Sequence, residues 1–423
     1  MGISRSVESF ADAVARVAGA DSVRFATEQD AFDLVKPLLV VSPCNAESAG
    51  AVLEWASRDR VPLMIRGAGT KLTWGPLARP ADVILSTTRL NPVVEHRHGD
   101  LTATVQAGAT LAQVNRELSA HRQWIPLDPS HEGGTIGGIL ATNDSGPRRH
   151  RHGAPRDLII GITVARADGR LARAGGIVVK NVAGYDMARL MTGSFGTLAL
   201  IVDATFKLAP MAPASRTVVI TAPRAALLDD ALTSIASSQM MPAAVELEIP
   251  PGRLLVRFGT AERAAEQQSR EIAELASKRG ARADVISGSE ESALWQAHAA
   301  RPWSKTGCVV KITLLLSQIP ALVDWLHGAA PHVDWELIGR AGVGVLFLRL
   351  DGRDDEQERL VNQLRARFKP GEGHVSVLRG SVALKSRIEA AAPVGDALPL
   401  MQIIKRQFDP AGILNPGRGP GGL

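Results

Sequence analysis

Arg66-Gly67-Ala68-Gly69-Thr70-Lys71 follows a short apolar run at residues 62–65 and leaves its main chain almost bare of side chains. Glycines at positions 67 and 69 let backbone amides approach a pyrophosphate with no Cβ in the way. The same six residues also make a tight turn between two strands, and taken alone they favour neither reading. A nicotinamide fingerprint is disfavoured. GxGxxG needs glycine where Leu72 stands, and Thr73-Trp74-Gly75-Pro76 cannot open the helix whose N-terminus would hold the phosphates. No GK[ST] occurs at P-loop spacing.

A second glycine-rich stretch runs Pro129-Ser130-His131-Glu132-Gly133-Gly134-Thr135-Ile136-Gly137-Gly138, then Ala141-Thr142-Asn143-Asp144-Ser145-Gly146-Pro147-Arg148-Arg149. Two glycine pairs beside Thr135, Asn143 and Ser145 form a donor-rich main-chain surface backed by arginines, able to grip a flavin ring and its diphosphate. We read residues 133–153 as a glycine-dominated loop, and a loop of that length inside a domain is uncommon without a function.

Outward from these loops, the first half alternates short strands with helices, the pattern of mixed α/β packing. Strands are expected at 38–41, 62–65, 83–86 and 101–106. Helices are expected at 46–58, capped by Asn45, and at 111–121, giving a small βαβ-type lobe. A hairpin turns at Ala167-Asp168-Gly169. After Pro210-Met211-Ala212-Pro213 the rhythm changes. Strand, helix, hairpin at Pro250-Pro251-Gly252, helix and strand recur in the same order from residue 309, which predicts a duplicated βαββαβ unit: an antiparallel sheet with helices on one face.

Composition narrows the function. The chain has 423 residues, 45% hydrophobic and 22% charged, enough for two domains. Its net charge of +5 comes from 48 basic and 43 acidic residues spread along the chain, which argues against a nucleic-acid surface. Cys44 and Cys308 are the only cysteines and neither has a CxxC partner, so this chain cannot by itself build a disulfide framework, a zinc site or an iron-sulfur site. No metal site is expected, and any metal relay belongs to another polypeptide. Glu8 and Asp12 stand where a signal peptide needs an apolar core, and no apolar run is long enough to span a bilayer; a cytoplasmic location is expected.

Several motifs occur in one order: the first loop, Gly-Gly-Thr-Ile-Gly-Gly, Ser-Gly-Pro-Arg-Arg, Arg156-Asp157, Val179-Lys180-Asn181-Val182-Ala183-Gly184-Tyr185-Asp186, Gly193-Ser194-Phe195-Gly196-Thr197-Leu198, and Phe408-Asp409-Pro410-Ala411-Gly412-Ile413-Leu414-Asn415-Pro416-Gly417. Together they resemble the vanillyl-alcohol-oxidase/PCMH flavoprotein superfamily, and most closely the FAD-binding E-type subunits of bacterial glycolate oxidase. The resemblance implies an α+β fold: a PCMH-type FAD-binding domain of two α/β subdomains over residues 1–212, a cap or substrate domain over 213–395 with a helix-covered antiparallel sheet of duplicated ferredoxin-like units, and a segment over 396–423 that returns to the FAD domain. It also implies FAD contacts from Arg66, Gly67, Ala68, Gly69, Thr70, Lys71, Pro129, Thr135, Ile136, Gly137, Gly138, Asn143, Ser145, Gly146, Gly153, Asp157, Ile201 and Asn415. Many relatives carry a histidine after the first loop that bonds covalently to the flavin. Here Thr70-Lys71-Leu72 occupies the place, so noncovalent FAD is expected.

Oxidising a 2-hydroxy acid needs a cation for the carboxylate, a base for the hydroxyl proton and placement of the Cα hydrogen beside the flavin. Candidate cations are Arg148, Arg149, Lys180 and Arg379; candidate bases are Tyr185, His374 and His131. Tyr185, the sole tyrosine, also reads as a helix-start residue. Gly371-Glu372-Gly373-His374 keeps only one histidine of the HxGDGNxH motif found in D-type partner subunits, which puts independent catalysis in doubt. The resemblance therefore implies a subunit of a glycolate dehydrogenase complex working with a small 2-hydroxy acid, a second FAD subunit and an iron-sulfur subunit, with membrane association at most peripheral and through partners. A stand-alone flavin oxidoreductase and an FAD-fold assembly subunit without catalysis are the alternatives.

Overall fold

Leu39–Val41, Val83–Ser86 and Leu63–Arg66 lie side by side in parallel, and Val23–Phe25 adds an antiparallel edge. Leu39, Val41, Leu63, Val83 and Leu85 are fully buried, as expected of parallel strands covered by helices. One covering helix, Ala46–Asp59, starts at Asn45, whose side chain accepts from the Ser48 amide at 2.8 Å. It buries Ala49, Val52, Leu53 and Ala56 against these strands. The computed structural model describes residues 7–177, 184–222, 225–369 and 371–423. Among them no helix is long and apolar enough to cross a membrane.

Two compact units make up the chain: Met1–Asp144, Ala154–Pro210 and Pro393–Leu423 in the first, Ser145–Gly153 and Met211–Ala392 in the second. In the first unit a separate five-stranded antiparallel sheet runs Val93–Arg97, Thr102–Gln106, Leu200–Lys207, Ile159–Ala165, Leu171–Gly175. Thr102–Gln106 thus joins this second sheet and not the βαβ lobe expected from sequence, because its buried Ala103 and Val105 pack with Ile162, Ala204 and Phe206.

The glycine-dominated loop expected over 133–153 contains a helix, Ile136–Thr142. Thr135 caps it by accepting from the Gly138 amide at 3.4 Å, and Ile136, Ile139 and Leu140 are wholly buried. Helix propensity argues against glycine here, but close approach requires it: a Cβ on Gly137 would stand 2.9 Å from the Ala107 Cβ.

The C-terminal segment completes the parallel sheet. Leu414 pairs in parallel with Leu63, the Leu63 amide donates to the Ile413 carbonyl at 2.9 Å, and the Asn415 amide donates to the Leu63 carbonyl at 3.0 Å. Buried Lys405 fixes the turn before this pairing, its ammonium meeting Asp409 Oδ2 at 2.6 Å and the carbonyls of Thr197 and Leu414 at 2.8 and 3.0 Å.

The second unit is built on one eight-stranded antiparallel sheet in which the predicted duplication is plain. Ala214–Thr221, Ala244–Ile249, Arg253–Thr260 and Arg282–Ile286 form one four-stranded half. Cys308–Leu314, Asp334–Arg340, Val345–Asp351 and Gly373–Arg379 form the other, and Leu247 to Ile249 pairs with Leu337 to Gly339 to join them. Helices Ala225–Ala236, Glu262–Lys278, Ile319–Ala329 and Asp354–Ala366 supply the connections within the halves, and the apolar core between helices and sheet runs through both halves. A further helix, Gly288–Ala300, which the sequence pattern did not disclose, packs on the opposite pleat face: its Trp295 Nε1 donates to Thr217 Oγ1 at 2.8 Å, and His298 bonds Glu246 and Glu248.

Candidate FAD site

Strand Leu63–Arg66 delivers the chain into a cleft in the first unit. Its walls include residues 64–72, Thr87, Thr135, Gly137, Gly138, Ala141, Thr142, Phe195, Gly196, Ala199, Ile201, Asn415 and Arg418. The two glycine-rich stretches meet here. A Cβ on Gly67 would sit 2.0 Å from Thr135 Oγ1, so only glycine permits the loop and the capped helix to touch.

The amides of Gly67, Ala68, Gly69 and Thr70 enter none of the hydrogen bonds among the described residues. Gly69 holds a left-handed conformation, φ 78°, which keeps the run tightly curved. Successive unpaired amides on a curved backbone make an anion-binding concavity suited to a phosphate ester. At the C-terminal end of the lining helix, Asn143 in the left-handed region leaves Oδ1 buried without a partner. Asn415 closes the floor: Oδ1 accepts from the Ile65 amide at 2.6 Å and Nδ2 donates to the Phe195 carbonyl at 2.5 Å.

The two cations of the first loop are already engaged. Arg66 meets Asp30 at 2.9 Å, and Asp30 is also held by Arg24 at 2.8 Å. Lys71 meets Asp144 at 3.1 Å, and Ser130 donates to the same carboxylate through its amide and hydroxyl at 3.0 and 2.8 Å. Burial pushes the Asp144 carboxyl up, but Lys71 and Ser130 outweigh it and hold it below the ordinary carboxylate range. No histidine, cysteine or tyrosine is among the described lining residues, so the cleft wall offers no such side chain for covalent flavin attachment.

Residues 37–175 match the family model of the FAD binding domain, and residues 393–418 match that of the FAD linked oxidases, C-terminal domain. The chain carries the FAD binding domain of an FAD-linked oxidoreductase. It is 28% identical over 420 residues to the glycolate oxidase subunit GlcD of Bacillus subtilis, covering 90% of this chain and 88% of the relative. Similarity to the glycolate oxidase subunit GlcE of Escherichia coli is 29% over 374 residues, 86% of this chain and 94% of the relative. Similarity to a D-lactate dehydrogenase of Archaeoglobus fulgidus is 29% over 424 residues, 92% and 94% of the two chains. In fold, this flavoprotein resembles the 4-ethylphenol oxidase of Gulosibacter chungangensis, with a TM-score of 0.74 at 16% identity over 99% of this chain and 98% of that one. It likewise resembles p-cresol methylhydroxylase, with a TM-score of 0.73 at 16% identity over 99% and 97%.

The residues of the cleft fit FAD: the unpaired amides of residues 67–70 meet a diphosphate's need for hydrogen-bond donors, and the bare Gly67 and Gly137 let the loop, Thr135 and Ala107 close up behind them. Of the positions expected to contact FAD, residues 66–71, Thr135, Gly137, Gly138, Ile201 and Asn415 line the cleft of this FAD-linked oxidoreductase. Others do not. Ile136 is fully buried in the core; Asn143 stands one residue past the lining helix; Pro129 precedes the Ser130 that holds Asp144; and Asp157 accepts from the Ala154 amide at 2.9 Å, capping a short helix. Ser145, Gly146 and Gly153 group with the second unit, where Arg340 donates to the Ser145 carbonyl at 2.6 Å and Gly153 ends the helix Arg149–His152.

The catalytic candidates also lie off this cleft. Tyr185 is 92% exposed. His374 is an exposed residue on strand Gly373–Arg379, and Arg148 precedes helix Arg149–His152, both in the second unit. Arg379 is consumed structurally, donating to the carbonyls of Gly307, Trp303 and Lys305 at 3.3, 2.9 and 2.5 Å. His131 packs against Trp74 with ring centroids 6.0 Å apart. Lys180 and residues 179–183 of its motif fall outside the described residues. Sequence reasoning missed Met64, Ile65, Leu72, Thr87, Ala141, Thr142, Ala199 and Arg418 as wall residues, and quoted Phe195-Gly196 as a motif without placing it. The left-handed run at Gly193, Phe195 and Gly196 was the available signal, since two glycines so closely spaced mark a backbone bent around something.

Proposed function

We propose that this flavoprotein is the FAD-carrying subunit of a 2-hydroxy-acid dehydrogenase complex, taking part in the oxidation of glycolate to glyoxylate and passing electrons to a partner. The carrying observation is the near full-length similarity to glycolate oxidase subunits, 94% of the length of one and 88% of the other. Relatives named for D-lactate and D-2-hydroxyglutarate support the wider class, an acid bearing a hydroxyl on its α-carbon.

FAD held in the cleft supplies a two-electron acceptor for a hydride from carbon. The chain contributes the amides of residues 67–70 as an anion cradle, Asn415 as a brace between Ile65 and Phe195, and a wall that among the described residues holds no histidine, cysteine or tyrosine. Two isolated cysteines cannot assemble an iron-sulfur relay, which supports a separate electron-accepting polypeptide, and the protein's place would be in the cytoplasm beside it.

Anaerobic mixing of the FAD-loaded chain with a panel of 2-hydroxy acids tests the reading, with flavin bleaching as the signal. Bleaching by glycolate or a close homologue is expected, faster when the partner subunits are present. Full-complex rates from the isolated chain with an artificial acceptor would remove the need for a partner. No bleaching by any 2-hydroxy acid, with or without partners, would leave an FAD-holding assembly subunit as the better account.

A further inference from the structure

Three cations line the FAD cleft, and they differ in how their charge is balanced. Arg66 has Asp30 at 2.9 Å and Lys71 has Asp144 at 3.1 Å. Arg418 is only 4% exposed and has no carboxylate within ion-pair distance among the described residues. Its guanidinium donates to two neutral carbonyls, Pro76 at 2.8 Å and Lys71 at 3.4 Å, and lies over the Phe195 ring at 5.6 Å. A buried guanidinium bonded only to neutral acceptors is costly without a counter-ion. Burial pulls its pKa down to about 10, an effect that Asp33 opposes only in part.

We propose that Arg418 supplies the positive charge that balances the FAD diphosphate in this chain. The inference rests on FAD occupying the cleft. Two further observations support it. The Lys71 carbonyl that Arg418 grips ends the very loop whose amides at 67–70 are unpaired, so one anion would satisfy both groups. The tail that carries Arg418 is pinned just before it, by Asn415 on Ile65 and by the Pro416 carbonyl accepting from the Arg79 amide at 2.8 Å, so the cation is pre-placed. Arginine suits the role because its planar fork can keep its carbonyl bonds while presenting a further donor edge.

The rival account makes Arg418 a strap that merely shapes residues 71–76. Binding measurements on the full chain, stripped of flavin and reloaded, separate the two. FAD, ADP and riboflavin are titrated into the parent protein, Arg418→Gln and Arg418→Lys, with flavin fluorescence and calorimetry as readouts and melting temperature as the check on folding. The proposal expects Arg418→Gln to weaken FAD and ADP at least about tenfold, the loss of a charge-assisted hydrogen bond, while riboflavin binds as before. Arg418→Lys should recover part of the loss, and added salt should weaken FAD binding more steeply in the parent than in Arg418→Gln. Equal weakening of all three ligands, or equal salt slopes in parent and Gln variant, would make Arg418 a strap only. Unchanged FAD affinity in Arg418→Gln would overturn the proposal outright. Should Arg418→Gln not fold, a Lys variant with parental FAD affinity would support a requirement for charge, and one with ADP and riboflavin weakened together would refute it. A parent protein that binds no FAD would instead bring down the cofactor assignment itself.

Discussion

Lys71 Nζ lies 3.1 Å from Asp144 Oδ2 although the two residues are 73 positions apart, and this buried pair ties the first glycine loop to the end of the helix that faces it. Removing one partner strands the other's charge in the interior, so Asp144→Asn and Lys71→Met should each destabilise the protein by about 3–5 kcal/mol in denaturant unfolding. The sign with pH follows from a carboxyl depressed on folding. Its contribution is present above the unfolded value of about 3.9 and is lost as pH falls through the folded one. Stability of the parent should therefore drop below about pH 4, with a shallower drop in Asp144→Asn. Identical acid limbs for both proteins would remove this pair from the acid transition.

Gly67 and Gly69 should each be intolerant of a β-carbon for different reasons. At 67 the carbon meets Thr135 Oγ1 at 2.0 Å, and at 69 the left-handed backbone resists a branched side chain. Gly67→Ala and Gly69→Val are expected to purify with flavin occupancy lowered at least about tenfold, roughly the effect of 1.4 kcal/mol on binding. The ratio of flavin to protein absorbance reads this directly. Full occupancy in both variants would move the cofactor elsewhere.

The cleft wall among the described residues holds no histidine, cysteine or tyrosine. Acid precipitation should accordingly release all flavin into the supernatant and leave a colourless pellet. A yellow pellet after washing would mean a covalent bond from a residue outside that wall.

In the second unit His298 lies buried between Glu248, at 2.7 Å from Nδ1, and Glu246, at 2.8 Å from Nε2. Burial alone would lower its pKa, but the two carboxylates outweigh it and raise it. A histidine raised on folding stabilises fully below its unfolded value of about 6.5 and loses that contribution as pH climbs through the folded value. Denaturant midpoints should decline from about pH 6.5 upward in the parent. His298→Gln should start lower by about 3–5 kcal/mol and show a flatter alkaline limb. A parent midpoint that stays level above about pH 6.5 would show that the His298 pKa is not raised on folding.

Much of the architecture is readable where local rules and tertiary packing agree. Asn45 caps the helix it precedes, Val83–Ser86 forms a strand at the expected bounds, and the repeated order of elements after residue 213 appears as two halves of one sheet. Legibility fails where packing overrides propensity or where partners are distant. Gly137 and Gly138 disguise a helix, and at Gly137 close approach to Ala107 requires the missing side chain. Helix Gly288–Ala300 has no conventional apolar stripe, since its buried residues include Glu291 and His298, satisfied by polar groups of the sheet. Arg418 stood unremarked because nothing local distinguishes a tail arginine from any other; only its burial, with no ion-pair partner among the described residues, does so.

The Asn415 bond to Ile65 closes a circuit of 350 positions, and Leu414 forms a parallel bridge with Leu63. Such a sheet cannot finish while the intervening chain is still being made at the ribosome, since contacts of this separation form late and slowly. Until then strand Leu63–Arg66 has an open edge, a template for the wrong partner. The competence to take up cofactor consequently waits until residues 413–415 have been made.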